Sequence, residues 1–249
     1  MEFLIVAAIG LSGGFLSGLI GGGAGLMMIP ALLLVGLSPH TSIATTRFGS
    51  TGLMVGSLLR FLRSNQIVWR LILPFMLVNV PASFLGAYLV IIAPANVLET
   101  LIALVMIVVG PLVLLKRDFG VVEKIPPKPG VIAYSAVFVA KTLQASLGTG
   151  IGLLVNYVYI HWFGLTFNQA NALKRTSGIV TAIISIAIFA YGGIINYQYG
   201  FVLLVTMFVG GYLGSHMALK AGNQWVKYLF VSVVVVMGIA LLLEQFGLI

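Results

Sequence analysis

The stretch Gly18–Pro30, Gly-Leu-Ile-Gly-Gly-Gly-Ala-Gly-Leu-Met-Met-Ile-Pro, constrains this chain more than any other. It lies inside an apolar segment that would otherwise form a continuous helix. All five positions from Gly21 to Gly25 are glycine or alanine. Each glycine costs a helix interior about 1 kcal/mol relative to alanine, so the run predicts a helix break. If the segment lies in a bilayer, the freed backbone must face protein or a watery cavity. The N–H groups at the start of the next helix then carry partial positive charge and attract anions.

The bilayer follows from composition. Hydrophobic residues make up 60% of the 249 positions and charged residues only 7%, against about 25% charged in soluble domains. A chain of this length and hydropathy is polytopic. The net charge of +8, from 13 basic and 5 acidic residues, falls mostly in short gaps between apolar runs. It therefore reads as a topology signal and not as a nucleic-acid surface. Without cysteine there is no disulfide framework and no thiolate metal site. The N-terminus lacks the basic region and cleavage site of a signal peptide, so membrane structure is expected from Phe3 onward.

A bilayer-crossing helix needs about 20 residues. The first half reads as Phe3–Ile20, a short Ala24–Leu37, then Ser42–Leu62, Ile67–Ile92 and Asn96–Leu115. The hydrophilic stretch Lys116–Gly130 divides the chain nearly in two. The second half reads Val131–Leu147, a short Ile151–Phe163, Phe167–Ala190, Tyr197–Leu219 and Trp225–Phe246. The order of lengths repeats, and so do residues. At an offset of 128, Gly36 pairs with Gly164, Arg47 with Arg175, Phe61 with Phe189, Gly86 with Gly214 and Gly110 with Gly238. Upstream the offset is 127, and Gly23-Ala24-Gly25-Leu26 pairs with Gly150-Ile151-Gly152-Leu153.

Charge decides the orientation of the repeats. Arg60, Arg63 and Arg70 follow the third segment, whereas the matching gap Tyr191–Asn196 carries no charge. Ala93–Ala95 is free of basic residues, whereas its counterpart is flanked by Lys220 and Lys227. The signs swap, so the positive-inside rule makes the repeats inverted, with the central linker cytoplasmic and the N-terminus outside. Each half then crosses an odd number of times. Its long-short pair is a hairpin that either crosses twice or dips in and returns. The expected fold is an all-α polytopic membrane protein of two inverted-topology repeats, residues 1–115 and 131–249, joined by a cytoplasmic linker at 116–130. Each repeat has a Gly-broken helical hairpin followed by three long transmembrane helices. Inverted repeats with interrupted helices are a recurrent transporter plan, with the site near the midplane.

Two sets of residues carry candidate chemistry. One is the pair of glycine turns: Gly21, Gly22, Gly23 and Gly25, and in the second half Ser146, Gly148, Thr149 and Gly150, with Ser146 and Thr149 adding hydroxyl donors. Small residues also allow tight helix crossings, which is the better account of Gly52 and Gly56. The other set is Arg47 and Arg175, with Lys174 beside the latter. A charge inside a membrane helix is costly and usually functional, and arginine grips an oxyanion bidentately. Asn168, Asn171, Arg175, Gly178, Thr181 and Ser185 form a polar stripe at helical spacing; Thr46, Ser50 and Ser57 echo it. Arg47 is also near enough to a helix end to snorkel to headgroups. Lys141, matched in the first half by Gly14, reads either as a counter-charge or as a snorkelling residue. Asn79 and Asn156 can bond a ligand or another helix.

Some chemistry is excluded. Glu2, Glu99, Asp118, Glu123 and Glu244 all lie near segment ends or in the linker, which leaves no mid-membrane carboxylate for a proton relay or cation site. His40, His161 and His216 sit near segment ends. No hydrolase, metalloprotease or Walker motif is present, so no enzyme activity, cofactor or metal is expected. The sequence leaves the oligomeric state open, a homodimer included.

The glycine turn closed by Pro30, its echo at Ser146–Gly152, and the doubled all-helical layout resemble the TauE/SafE family, also called the toluene-sulfonate uptake permease family. The resemblance covers essentially the whole chain. Gly21, Gly22, Gly23, Gly25 and Pro30 match the first motif; the second departs from it, with Tyr157 where a proline would echo Pro30. The resemblance implies movement of sulfite, organosulfonates or related sulfur and carboxylate anions across the inner membrane. The substrate-binding set expected on this basis is Gly21, Gly22, Gly23, Gly25, Arg47, Ser50, Ser146, Gly148, Thr149, Gly150, Asn156, Lys174 and Arg175. An anion channel on the same scaffold, or a non-transporting membrane scaffold protein, are the alternatives.

Overall fold

The computed structural model describes residues 2–22, 24–94, 97, 120–123, 129–147, 151–229 and 232. Apart from Val97, the expected segment Asn96–Leu115 lies outside the described residues, as does most of Trp225–Phe246. The described residues form helices and no strands: α1 Glu2–Ile20, α2 Ala24–Leu34, α3 Pro39–Phe61, α4 Trp69–Ile92, α5 Val131–Leu147, α6 Gly152–Phe163, α7 Phe167–Tyr191 and α8 Tyr197–Ala221. Of these, α1, α4, α7 and α8 are long and apolar enough to cross a membrane. Helix α3 has 23 residues, but its buried face carries Ser42, Thr45, Thr46, Arg47 and Ser50.

Local chemistry sets the helix starts. Ser38 accepts from the Thr41 amide, and Pro39 occupies the first turn of α3, where its missing N–H costs nothing. Thr166 and Gln169 form a reciprocal capping box at the start of α7. Asn196 caps α8 by accepting from the Tyr199 amide. The two short helices, at 11 and 12 residues, rise only about 16–18 Å and fold back on their long neighbours. Gly13 of α1 faces Ala24 and Met28 of α2, and Tyr134 near the start of α5 stacks edge-on against Phe163 at the end of α6.

Glycines set the main helix contacts. On α1, Gly10 meets Leu203 and Thr206 of α8, Gly14 meets Met207, and Gly18 meets Gly211 and Ser215. The residue numbers rise together, so α1 and α8 run parallel. Gly49, Gly52 and Gly56 of α3 meet Leu203, Leu204 and Phe208 of the same α8, also in parallel, in the packing role the sequence assigned to Gly52 and Gly56. On the other side, α4 runs parallel to α5, with Phe75 on Tyr134 and Gly86 on Thr142 and Ser146. It runs parallel to α7 as well, with Asn79 on Ser177 and Ile91 on Gly192. The two blocks, α1–α3–α8 and α4–α5–α7, meet along α3 and α7. That pair is antiparallel: Arg47 faces Ser185, and Met54 faces Gly178.

Equivalent positions make equivalent contacts. A methyl group at Gly86 would meet the Thr142 carbonyl and the Ser146 amide nitrogen; one at Gly214 would meet the Phe15 carbonyl and the Leu19 amide nitrogen. Gly86 and Gly214 differ by 128, and Phe15/Thr142 and Leu19/Ser146 each by 127. Each matched pair (α1 with α5, α3 with α7, α4 with α8) has one helix in each block.

The ends of the bundle differ in charge. At one end, Phe61 of α3 shares a cluster with Ile67 and with Ala172 of α7. The Phe167 amide there donates to Gly120, and Asn223 accepts from the Asn168 amide. Arg60, Arg63, Arg70, Lys220 and Lys227 belong to the segments meeting at this end. At the other, Glu2 accepts from the Tyr199 hydroxyl, His40 lies 3.3 Å from the Ala93 carbonyl, and the Asn196 amide donates to Thr45. That end carries no Lys or Arg among the described residues.

The backbone approach at the glycine crossings makes a sharp prediction. Gly18→Val and Gly214→Val place side chains against helix backbone and are expected to lower the melting temperature of the detergent-purified protein by more than about 5 °C. Gly178→Ala meets only the flexible Met54 thioether, 3.5 Å away, and should leave it nearly unchanged. Fluorescence-detected thermal unfolding by size exclusion reads both.

Candidate functional site

Helix α1 ends because Gly21 turns left-handed. Its φ is +82° while its amide still donates to the Ser17 carbonyl at 2.9 Å, the usual way a glycine closes a helix. A side chain there would also run into Asn171 and Asn156. Gly22 follows, and α2 begins at Ala24. The second break comes between α5 and α6, where Ile151 stands at the cap position of α6 without a side-chain hydrogen bond. The two breaks touch. A methyl group at Gly22 would lie 2.6 Å from the Leu153 amide nitrogen, and one at Gly152 would lie 2.8 Å from the Gly21 carbonyl oxygen. Only glycine lets the two backbones approach this closely.

Side chains of α6 and α7 tie the breaks together. Asn156 Nδ2 donates to the Ile20 carbonyl at 3.0 Å and to Asn171 Oδ1 at 2.8 Å, and Asn171 Nδ2 reaches the Leu19 carbonyl at 3.5 Å. The last carbonyls of α1, which have no partner within their own helix, are met in this way. Lys174 Nζ donates to the Gly152 carbonyl at 3.0 Å and to Asn156 Oδ1 at 2.8 Å. Arg175 Nη2 donates to the Ser17 carbonyl at 2.7 Å and lies 3.3 Å from the Ser17 hydroxyl. The C-terminal end of α1, negative by its dipole, therefore holds a guanidinium.

Two further cations join from α3 and α5. Arg47 lies in α3, and among the described residues its Nη2 reaches only Ser185 Oγ, at 3.5 Å. Its Nε and Nη1, and Nε of Arg175, have no hydrogen-bond partner among the described residues. Lys141 Nζ donates to Gln144 Oε1 at 3.1 Å. Relative exposures are 2% for Arg47, 4% for Lys141, 2% for Lys174 and 3% for Arg175. Neither Arg47 nor Lys141 snorkels to an end. The acids among the described residues, Glu2 and Glu123, bond Tyr199 and Gln169 at exposed positions. The hydrogen-bond acceptors holding the four cations are neutral.

The structure brings together Gly21, Gly22, Asn156, Lys174 and Arg175 of the expected set, with Arg47 at the seam between the blocks. Gly23, Gly148, Thr149 and Gly150 lie outside the described residues. Gly25 belongs to the first turn of α2. Of the expected hydroxyls, Ser50 donates to the Arg47 carbonyl at 2.7 Å, and Ser146 to the Thr142 carbonyl at 3.0 Å. Each donor is used within its own helix, as buried serines in membrane helices commonly do. Asn156 acts as a hub between helices. Ser17, Gln144 and Asn171 belong to the site as well. Asn171 was visible in the polar stripe of α7, whereas nothing in the sequence singled out Ser17 or Gln144.

The hub predicts a measurable coupling. Asn156→Leu removes an acceptor from a buried ammonium and a donor from the Ile20 carbonyl, so it should destabilise the protein by about 2–4 kcal/mol. Adding Lys174→Met removes the stranded charge and should recover part of that loss. A thermal-unfolding double-mutant cycle measures the interaction.

The family described as Sulfite exporter TauE/SafE matches residues 6–241. Similar proteins share nearly the whole length. A probable membrane transporter protein YfcA of Escherichia coli strain K12 is 27% identical over 239 residues, covering 94% of this chain and 87% of that one. A probable membrane transporter protein ORF9 of a Sinorhizobium species is 26% identical over 247 residues, covering 98% and 93%. A probable membrane transporter protein of Haemophilus influenzae is 22% identical over 244 residues, covering 97% and 94%. With its paired glycine breaks, its apolar helices and this match across 6–241, the chain belongs to the TauE/SafE family of membrane transporters.

Proposed function

We propose that this chain carries small oxyanions across the membrane, in the class of sulfite, organosulfonates and related carboxylates, and binds them where α3 and α7 pass the two helix breaks. The observation that carries this reading is four nearly fully buried cations, Arg47, Lys141, Lys174 and Arg175, each held by neutral hydrogen-bond acceptors. Charges in that setting are expensive. An anion that shares their desolvated space offsets the cost, and the free guanidinium edge of Arg47 suits an oxyanion. The description of the matched family as a sulfite exporter supports sulfur oxyanions as the class.

The same reading includes the topology. Residues 1–115 and 131–249 form two inverted repeats joined by a cytoplasmic linker at 116–130, in the inner membrane, with the N-terminus outside. Three observations support this. Matched helices fall in opposite blocks, the seam pair α3 and α7 is antiparallel, and the basic residues of the connecting segments gather at the linker end. On this plan each hairpin enters from its own face and returns to it, so the two breaks meet from opposite sides.

In proteoliposomes, sulfite efflux is expected from the wild type, and Arg47→Gln and Arg175→Gln should each lower it at least about tenfold while the protein remains folded, because each removes a charge from a desolvated site. Unchanged flux in both variants would remove the anion assignment. For topology, the cysteine-free chain accepts single probes. Glu2→Cys should react with an impermeant maleimide on intact cells, and Lys220→Cys only after the membrane is opened.

A further inference from the structure

We infer that Phe61 and Phe189 are a matched pair of apolar gates, each closing one end of the α3–α7 seam over the arginines between them; this rests on the transport reading above only in taking the seam as the route to those cations. The argument comes from the two ends of the seam. At the basic end, Phe61, the last residue of α3, shares a small cluster with Ala172 of α7 and with Ile67 of the segment after α3. At the opposite end, Phe189 of α7 shares a cluster with Ala44 of α3 and with Ile195 of the segment after α7. These are equivalent residues: Phe61 and Phe189, Ala44 and Ala172, and Ile67 and Ile195 each differ by 128. Leu58 and Ile186, also 128 apart, pack against the first and the second cluster respectively. Both phenylalanines and both alanines are 0% exposed. One local arrangement therefore occurs twice, at opposite ends of an antiparallel helix pair.

The two plugs bracket the polar interior. Ala172 lies three residues before Arg175, and Ala44 three before Arg47, so each plug stands about one helical turn from an arginine. Arg175 and Ser185, the residue Arg47 reaches, both lie on α7 between Ala172 and Phe189. Between the plugs the seam is crossed by side-chain ends. The Met54 methyl is 3.5 Å from where a methyl on Gly178 would stand, and Arg47 Nη2 is 3.5 Å from Ser185 Oγ. Inside the first block, by contrast, α1 and α3 meet α8 through glycines set against its backbone. An apolar constriction holds back water and ions until its side chains move, and a site that carries a solute opens to one face at a time. A buried phenylalanine at each end of a loosely drawn seam supplies one such constriction per face.

Cysteine accessibility tests this in the full-length, cysteine-free chain. Thr181→Cys places a thiol at a buried position of α7 between the plugs. Sealed membrane vesicles of each orientation are labelled with sulfonatoethyl methanethiosulfonate, a small impermeant thiol reagent, with a thiol scavenger on the far side. Phe61→Ala should raise the labelling rate at least about tenfold from one face, and Phe189→Ala at least about tenfold from the other. Phe61→Leu and Phe189→Leu keep most of the apolar volume; they should fold even where the alanine variants do not, and shift the rates in the same directions by a smaller factor. Unchanged rates from both faces in the folded variants overturn the inference, and so does acceleration of both variants from the same face. The readout counts modified thiols and not carried anions, so either result leaves the anion-transport reading standing. Acceleration from opposite faces without sulfite flux in the wild type would overturn that reading and keep the gates.

Discussion

Every backbone N–H and C=O inside a bilayer must find its partner within the protein, and the rest of this structure follows from how two broken helices meet that requirement. Helix α1 stops at Gly21, leaving carbonyls at Leu19 and Ile20 that are met by Asn171 and Asn156, while Arg175 adds a second donor to the Ser17 carbonyl already bonded by the Gly21 amide. The second break is pressed against the first, with Gly22 on Gly152 and Leu153, and Lys174 bonds the Gly152 carbonyl. The groups that make the breaks tolerable are therefore the same polar and cationic groups that charge the interior. Stability and the candidate site are built from one network.

That network has a consequence for electrostatics. Amides, hydroxyls and carbonyls orient the cations but do not neutralise them. A carboxylate in this position would form internal ion pairs and compete with an anionic ligand. The neutral acceptors keep the geometry and leave the charge available. Arg175, held by the negative end of α1, and Arg47, held by a single serine hydroxyl, show that even matched positions are used unequally.

The glycine crossings account for the mechanical framework. In apolar surroundings helices gain little from burying apolar surface, so close backbone approach through small residues carries much of the association. Helices α1, α3 and α8 lock together through Gly10, Gly14, Gly18, Gly49, Gly52 and Gly56, and α4 packs on α5 through Gly86. The seam between the two blocks is less closely drawn: Gly178 of α7 meets only the end of Met54. The cations sit beside that seam, between two well-packed units.

Much of the fold was legible in the residues because its signals are local. Helix limits followed from apolar length and from the glycine runs; the observed α5, Val131–Leu147, has the bounds read from the sequence, while the caps at Ser38, Thr166 and Asn196 emerged with the structure. The repeat expected from the sequence rests on the matched Arg47 and Arg175, because arginine is rare in membrane segments. The site was legible only in outline. Gly21 and Arg175 could be named as candidates, but hydroxyl direction could not be read from spacing, and the bonds of Ser50 and Ser146 to their own helices emerged only in the structure.

By itself the sequence determined a polytopic helical membrane chain, glycine-broken apolar segments, and cations placed within apolar segments while the acids fall near segment ends or in the linker. Those properties depend on composition, period and rarity, which are written along the chain. Only the tertiary structure decided that the two breaks touch, that Asn156 and Asn171 satisfy carbonyls more than a hundred residues away, and that Lys141 takes Gln144 while two nitrogens of Arg47 find no partner among the described residues. The reason is physical. Hydrogen-bond partners at such separation are chosen by helix packing, and helix packing here turns on which glycines face which backbones in three dimensions.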